Sequence, residues 1–272
     1  MDTAKVEPQN LARLLDIMAR LRDPDTGCPW DIEQTSATIA PYTIEEAFEV
    51  VDAIENGTPR ELEAELGDLL LQVVFHAQMA SEQGLFDFDS VAGRVADKMV
   101  ARHPHVFGDE CRNKSATQQT LDWEKIKAAE RKSAGKNSAG TLDGIAAGLP
   151  ALTRAVKLQN RAARVGFDWP DVAQVIDKIT EEAQELVEAR ATLSQVEVAE
   201  EYGDLLFVMA NLARHLDLDP ESVLRAANRK FTRRFNAVEK CLADEGNPVE
   251  DADLAQMEAM WQRVKAVEKT PT

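Results

Sequence analysis

The residues of this chain best suited to chemistry are acidic and closely grouped. At 100° per helical residue, Glu181, Glu182 and Glu185 fall within about 100° of one another, so a helix carrying them projects all three from one face. With fifteen residues between Glu185 and Glu201, Glu201 and Asp204 stand about 60° apart on a second helix. Antiparallel packing of two such helices brings four or five carboxylates to one place. Like charges at this spacing repel by roughly 0.2–0.5 kcal/mol per exposed pair, and by more on burial, so the arrangement calls for a cation. An oxygen-only donor set suits a hard divalent ion, Mg²⁺ or Mn²⁺, rather than zinc. The rival chemistry of such helices, a di-iron centre, uses an E-x-x-H pair, and no histidine stands three residues after these glutamates. His76 and His215 occur at other spacings and read as packed or surface histidines.

The acidic pattern is written twice. Glu45-Glu46-Ala47-Phe48-Glu49 and Glu65-Leu66-Gly67-Asp68 recur 136 residues later as Glu181-Glu182-Ala183-Gln184-Glu185 and Glu201-Tyr202-Gly203-Asp204. The second candidate metal set is therefore Glu46, Glu49, Glu65 and Asp68, beside Glu182, Glu185, Glu201 and Asp204. In the first copy, Thr43-Ile44-Glu45-Glu46 also fits a capping box, which would make Glu46 a helix-start residue. Gly67 and Gly203 lie inside their helices, where glycine costs about 1 kcal/mol relative to alanine. Their readings are close approach of a ligand or of a neighbouring helix.

Basic and aromatic residues follow in the same order in both halves. Lys98 and Arg102 match Lys230 and Arg234, each pair four residues apart and so on one helix face. Together they offer a point charge and a planar fork suited to phosphate oxygens. A carboxylate-bound ion with such cations is what a triphosphate requires. Trp123 and Trp261, each followed four residues on by a lysine (Lys127, Lys265), either stack on a base or fill the core. Trp30 and Trp169 precede each acidic hairpin and either border a base pocket or pack as loops. His103-Pro104-His105 reads as a turn.

The elements that must position these groups are helices. Apolar residues at helical spacing (Ile44, Phe48, Val51, then Leu62, Leu66, Leu69, Val73) describe a helical hairpin turning at Asn56-Gly57-Thr58-Pro59, and the second copy repeats it. Few hairpin-turn signals and 6% aromatics argue against sandwiches and barrels. The expected fold is all-α: two tandem, duplicated helical-bundle domains with four or five helices each. Their expected bounds are 1–130 and 149–272, with a linker at 131–148 that includes the Gly/Ser-rich stretch Ser133–Gly140. A net charge of −17 opposes binding to nucleic acid. Three cysteines without C-x-x-C spacing fit a reducing, cytoplasmic setting, and neither an apolar leader nor a membrane span is expected.

With these motifs assembled, the chain resembles the MazG family of nucleoside triphosphate pyrophosphohydrolases. The family signature is E-x-x-E, a spacer, then E-x-x-D, here Glu46/Glu49 with Glu65/Asp68 and Glu182/Glu185 with Glu201/Asp204. Gly27-Cys28-Pro29-Trp30-Asp31, Arg102-His103-Pro104-His105-Val106-Phe107, Val165-Gly166-Phe167-Asp168-Trp169 and Asn211-Leu212-Ala213-Arg214-His215-Leu216 resemble the family's long, two-copy form. The resemblance implies a homodimer of all-α domains that cleaves an NTP or dNTP between the α and β phosphates, giving a monophosphate and pyrophosphate. Catalysis would rest mainly in the C-terminal copy. There Glu182, Glu185, Glu201 and Asp204 would hold Mg²⁺, Lys230 and Arg234 would neutralise the phosphate chain, and Trp261 would contact the nucleotide. Lys127 would help bind nucleotide in the C-terminal site, and Glu181, the extra acid on that helix face, is a candidate general base. Glu197 stands where close members can carry a lysine. The alternatives are a narrower relative acting on dUTP or phosphoribosyl-ATP, or a non-catalytic helical interaction module.

Overall fold

The computed structural model describes residues 9–108 and 140–268 and, between them, residues 115, 118, 119, 122, 123, 126 and 130. Every regular element among the described residues is a helix. The chain divides into two compact units, Met1–Ala134 and Gly135–Thr272. No helix among the described residues is long and apolar enough to cross a membrane.

The first unit contains α1 (Gln9–Leu21), α2 (Pro29–Glu33), α3 (Ser36–Asn56), α4 (Pro59–Glu82), α5 (Phe88–Arg102) and α6 (Pro104–Phe107). Six helices among the described residues exceed the four or five expected because two of them are single turns started by a proline at the first position, where its missing N–H is no loss. One of these, α6, includes His105, so the His103-Pro104-His105 stretch opens a short helix instead of forming a turn. The long helices α3 and α4 form the hairpin. Thr35 caps α3 in a reciprocal box with Thr38, and Thr58 caps α4 with Glu61, followed by Pro59. Met18, Ile39, Val74, Phe75 and Met79 bury one core where α1 crosses the hairpin, with Leu14, Leu15, Leu71 and Phe88 packed around it. Arg22 fastens the intervening loop, pairing with Glu82 at 2.7 Å and donating to the carbonyl of Gln34 at 3.3 Å.

The second unit contains α7 (Ala151–Ala163), α8 (Val172–Thr192), α9 (Gln195–His215), α10 (Pro220–Asp244) and α11 (Leu254–Glu268). Asp171 caps α8, accepting from the Gln174 amide, and Asp219 with Pro220 starts α10. Ser194 caps α9 in a box closed by Glu197, whose carboxylate accepts from the Ser194 amide at 2.9 Å. Glu197 is therefore engaged in starting this helix. Small residues let the helices approach: Ala155, Val175, Ala189, Val208, Ala210, Val238 and Leu242 are buried. Gln159, itself buried, ties α7 to α9 by donating to the Phe207 carbonyl at 2.7 Å. The loop before α8 is held by Asp168, which pairs with Arg214 and lies 3.3 Å from His215 Nε2. His215 is thus a structural partner of this loop, as His76 is of Thr43, whose Oγ1 lies 3.1 Å from its Nε2.

Candidate active site

Each hairpin carries its acids on facing helices. In the first unit α3 supplies Glu46 and Glu49 and α4 supplies Glu65, and one carboxylate oxygen from each lies within 4.8 Å of the others. Because α3 starts at Ser36, Glu46 sits in mid-helix, and the capping box at Thr43–Glu46 does not form. Its side chain instead joins the acidic group. Burial pushes the Glu46 carboxyl above its ordinary value, and the charges of Asp68 and Glu49 push it further. Asp68 thus acts on the group although it is not among the three clustered oxygens.

In the second unit α8 supplies Glu182 and α9 supplies Glu201 and Asp204, again with oxygens within 4.8 Å of one another. Burial raises the Glu201 carboxyl, followed by repulsion from Glu185, Glu182 and Asp204. Glu185 acts in this copy as Asp68 does in the other: it is felt electrostatically and stands outside the tight trio. Glu182 is only 5% exposed. A buried carboxylate needs a counter-charge, and Lys178, one turn earlier on α8, supplies it at 2.7 Å. The same ammonium holds Glu181 at 2.9 Å, and these two partners, Glu182 first, raise the lysine well above its usual range. Glu181 is exposed and lies outside the oxygen trio, paired with Lys178.

Lys178 was not found by motif reading, although its spacing of three and four residues before two glutamates of the face is a usable signal. The corresponding residue of the first copy, 136 positions earlier, is Tyr42, so this position carries a cation in the second copy and none in the first.

The cationic group is built on α10 and α11. Trp261 lies against Phe231, with ring centroids 5.5 Å apart, and the Arg234 guanidinium sits 5.8 Å from its centroid. Lys230, on the same face of α10 as Arg234, is exposed. Arg234 is also paired with Glu268 at 2.7 Å. Lys127 lies outside the described residues. Trp30 is half exposed and meets Tyr42 edge-on, with centroids 6.3 Å apart. A Cβ on Gly67 or Gly203 would meet no atom of a neighbouring element within 4 Å. Close packing of a helix among the described residues of this chain therefore does not account for either glycine.

The donor set fits a hard cation. The clustered atoms are all carboxylate oxygens, and their 4.8 Å limit is comparable to the about 4.2 Å between opposite oxygens around an ion with 2.0–2.1 Å bonds. Two helix hairpins, each focusing the acids of an E-x-x-E and an E-x-x-D pair, define a duplicated all-α protein with carboxylate sites suited to divalent cations. Residues 34–107 match the family model of the MazG nucleotide pyrophosphohydrolase domain, and residues 150–231 match that of phosphoribosyl-ATP pyrophosphohydrolase. The chain is 52% identical to the nucleoside triphosphate pyrophosphohydrolase of Escherichia coli (strain K12), over 94% of this chain and 97% of that protein. It is 42% identical to the nucleoside triphosphate pyrophosphohydrolase/pyrophosphatase MazG of Thermotoga maritima, over 94% and 96%. A nucleoside triphosphate pyrophosphohydrolase of Mycobacterium tuberculosis is 33% identical over 80% of this chain and 67% of that protein. The chain belongs to the MazG family of nucleoside triphosphate pyrophosphohydrolases.

Proposed function

We propose that this protein hydrolyses nucleoside triphosphates, NTP or dNTP, to the nucleoside monophosphate and pyrophosphate, and that the C-terminal copy carries most of the turnover. The observation that carries the reading is the meeting of Glu182, Glu201 and Asp204 oxygens within 4.8 Å, in a chain 52% identical to a nucleoside triphosphate pyrophosphohydrolase. Glu182, Glu185, Glu201 and Asp204 would hold the divalent ion, with Mg²⁺ preferred and Mn²⁺ able to replace it. Bound there, the ion supplies charge neutralisation at phosphate oxygens and makes a water more acidic. The side chains do the remainder. Lys178 holds the buried Glu182 in place through their ion pair, and Lys230 and Arg234 balance charge along the phosphate chain. Trp261 offers a ring face to the nucleotide. Lys127 is the proposed further cation of this site, and Glu181 is the proposed base, held ready by Lys178.

We further propose a homodimer in the cytoplasm that does not act on nucleic acid. Apolar side chains exposed along α8 and α9, among them Val187, Tyr202, Leu206, Phe207 and Met209, support pairing with a second copy. A net charge of −17 supports the exclusion of polyanionic partners, and the unpaired spacing of the cysteines supports a reducing compartment.

The test is pyrophosphate release from a panel of NTPs and dNTPs, with dUTP and phosphoribosyl-ATP included, in Mg²⁺ and in chelator. Release from several nucleotides in Mg²⁺ and none in chelator is expected. A single dominant substrate would move the assignment to a narrower relative, and no product with any nucleotide would defeat it. Sedimentation at twice the 30.1 kDa chain mass is the expected outcome for the dimer.

A further inference from the structure

The cationic helix of each half is tied to a glutamate of the following helical segment in the same manner. The shift of 138 residues that aligns Trp123 with Trp261 also aligns Glu130 with Glu268. In the second unit Arg234 donates from Nε to Glu268 Oε2 at 2.8 Å, with Nη2 2.7 Å from the same oxygen, while Arg233 Nη2 holds Oε1 at 2.8 Å. In the first unit Arg102 donates from Nε to Glu130 Oε1 at 3.0 Å and from Nη2 to Oε2 at 2.5 Å. Both carboxylates therefore take the side-on edge of the guanidinium, made of Nε and Nη2.

An arginine presents five N–H groups in a rigid plane, so one edge can be fixed internally while the terminal Nη1/Nη2 end faces an oxyanion. Fixing a long side chain before the ligand arrives removes the ordering cost from the binding step. The tryptophan joins the same assembly in both units. Trp261 lies against the Arg234 guanidinium, and Trp123 Nε1 donates to the Arg102 carbonyl at 3.2 Å. Hydrogen bonds from Arg233 and then Arg234 hold the Glu268 carboxyl below its ordinary value, so it is a carboxylate at neutral pH.

We propose that Glu268 is a positioning residue for phosphate recognition: it grips Arg234 by its side-on edge so that the terminal end of the guanidinium meets the phosphate chain of the substrate. The inference rests on the reading of Arg234 as a phosphate ligand.

The test uses the full-length chain and steady-state pyrophosphate release from a Mg²⁺-nucleoside triphosphate. Variants are E268Q, E268A, E268D, R234A and the double variant E268Q/R234A. E268Q is expected to raise KM about fivefold, on the scale of an immobilised side chain released, with kcat within about twofold. E268D is expected to recover part of the loss. A residue that acts only through Arg234 adds nothing once Arg234 is gone, so the double variant should match R234A. A purely structural role would make the two losses add and would lower kcat through the fraction of folded enzyme. E268Q is isosteric, so its KM decides the matter if E268A loses fold by circular dichroism. An unchanged or lowered KM in E268Q, with R234A raising KM, overturns the positioning role alone; a lowered value would mean that the carboxylate competes with phosphate. An unchanged KM in R234A overturns the phosphate reading of Arg234 and the inference with it.

Discussion

Asp204 is exposed and Glu182 is buried, yet they present oxygens to the same small space. Substituting Asp204 removes an acid without opening a core. D204A is therefore expected to keep its helicity by far-UV circular dichroism while pyrophosphate release falls by at least about 100-fold, beyond the loss typical of a ligand's supporting partner. E181Q separates roles on the same face. If Glu181 is the base, E181Q loses the acidic limb of the rate–pH profile and keeps its dependence on Mg²⁺ concentration; an unaltered profile removes it from that role. The raised carboxyls of Glu46 and Glu201 also fix a sign. A group that holds its proton longer in the folded state contributes stability below the ordinary value of 4.5, and that contribution is lost as pH rises through its raised value. Glu82 and Glu268, lowered chiefly by arginine hydrogen bonds, act oppositely and lose their contribution as pH falls through their depressed values. Without cation, the acidic groups thus strain the fold at neutral pH. Mg²⁺ is expected to raise the melting temperature by several degrees at pH 7, about 2.7 kcal/mol at a hundredfold excess over Kd, and by little at pH 4, as scanning fluorimetry would read.

Helices α8 and α9 owe their bounds to local chemistry, and their functional content shows where a local rule is broken. Gly203 stands in mid-helix with open space beyond its Cα. G203A is expected to stabilise the protein by about 1 kcal/mol from helix propensity, since the new methyl meets no neighbouring element. If a ligand approaches at that face, the same variant loses turnover. A rise in melting temperature with unchanged kcat/KM would remove that explanation. Hairpin, caps and turn were readable because each depends on a few adjacent residues: Thr58-Pro59 and Asp219-Pro220 announce their helices in any context. The supposed cap at Thr43 failed because Thr35 starts α3 two turns earlier, and a capping motif carries no information about whether a helix has already begun.

The whole molecule holds two versions of one hairpin with unequal interiors. The second copy places Lys178 against its buried glutamate, and the first has Tyr42 there and leaves Glu46 with its acidic neighbours. The cationic segment, by contrast, is retained in both, down to the Arg–Glu grip. On the proposed division of labour, D68A is expected to retain most pyrophosphate release while D204A abolishes it. Equal losses from the two variants would assign turnover to both copies.

By itself the sequence determined the all-α character, the internal duplication and the identity of the acids. Helical periodicity, repeat spacing and the donor chemistry of carboxylates are properties of neighbouring residues. Its E-x-x-E and E-x-x-D spacings also determined that each set would share a helix face. Only the tertiary structure decided which three of each four acids bring oxygens within 4.8 Å of one another. It also decided that Lys178 neutralises Glu182, and that Glu268, far along the chain from Arg234, grips it side-on. Those choices depend on how one helix is rotated and advanced against another, and that is fixed by the packing of small buried residues such as Ala189, Val208 and Ala210, not by any motif.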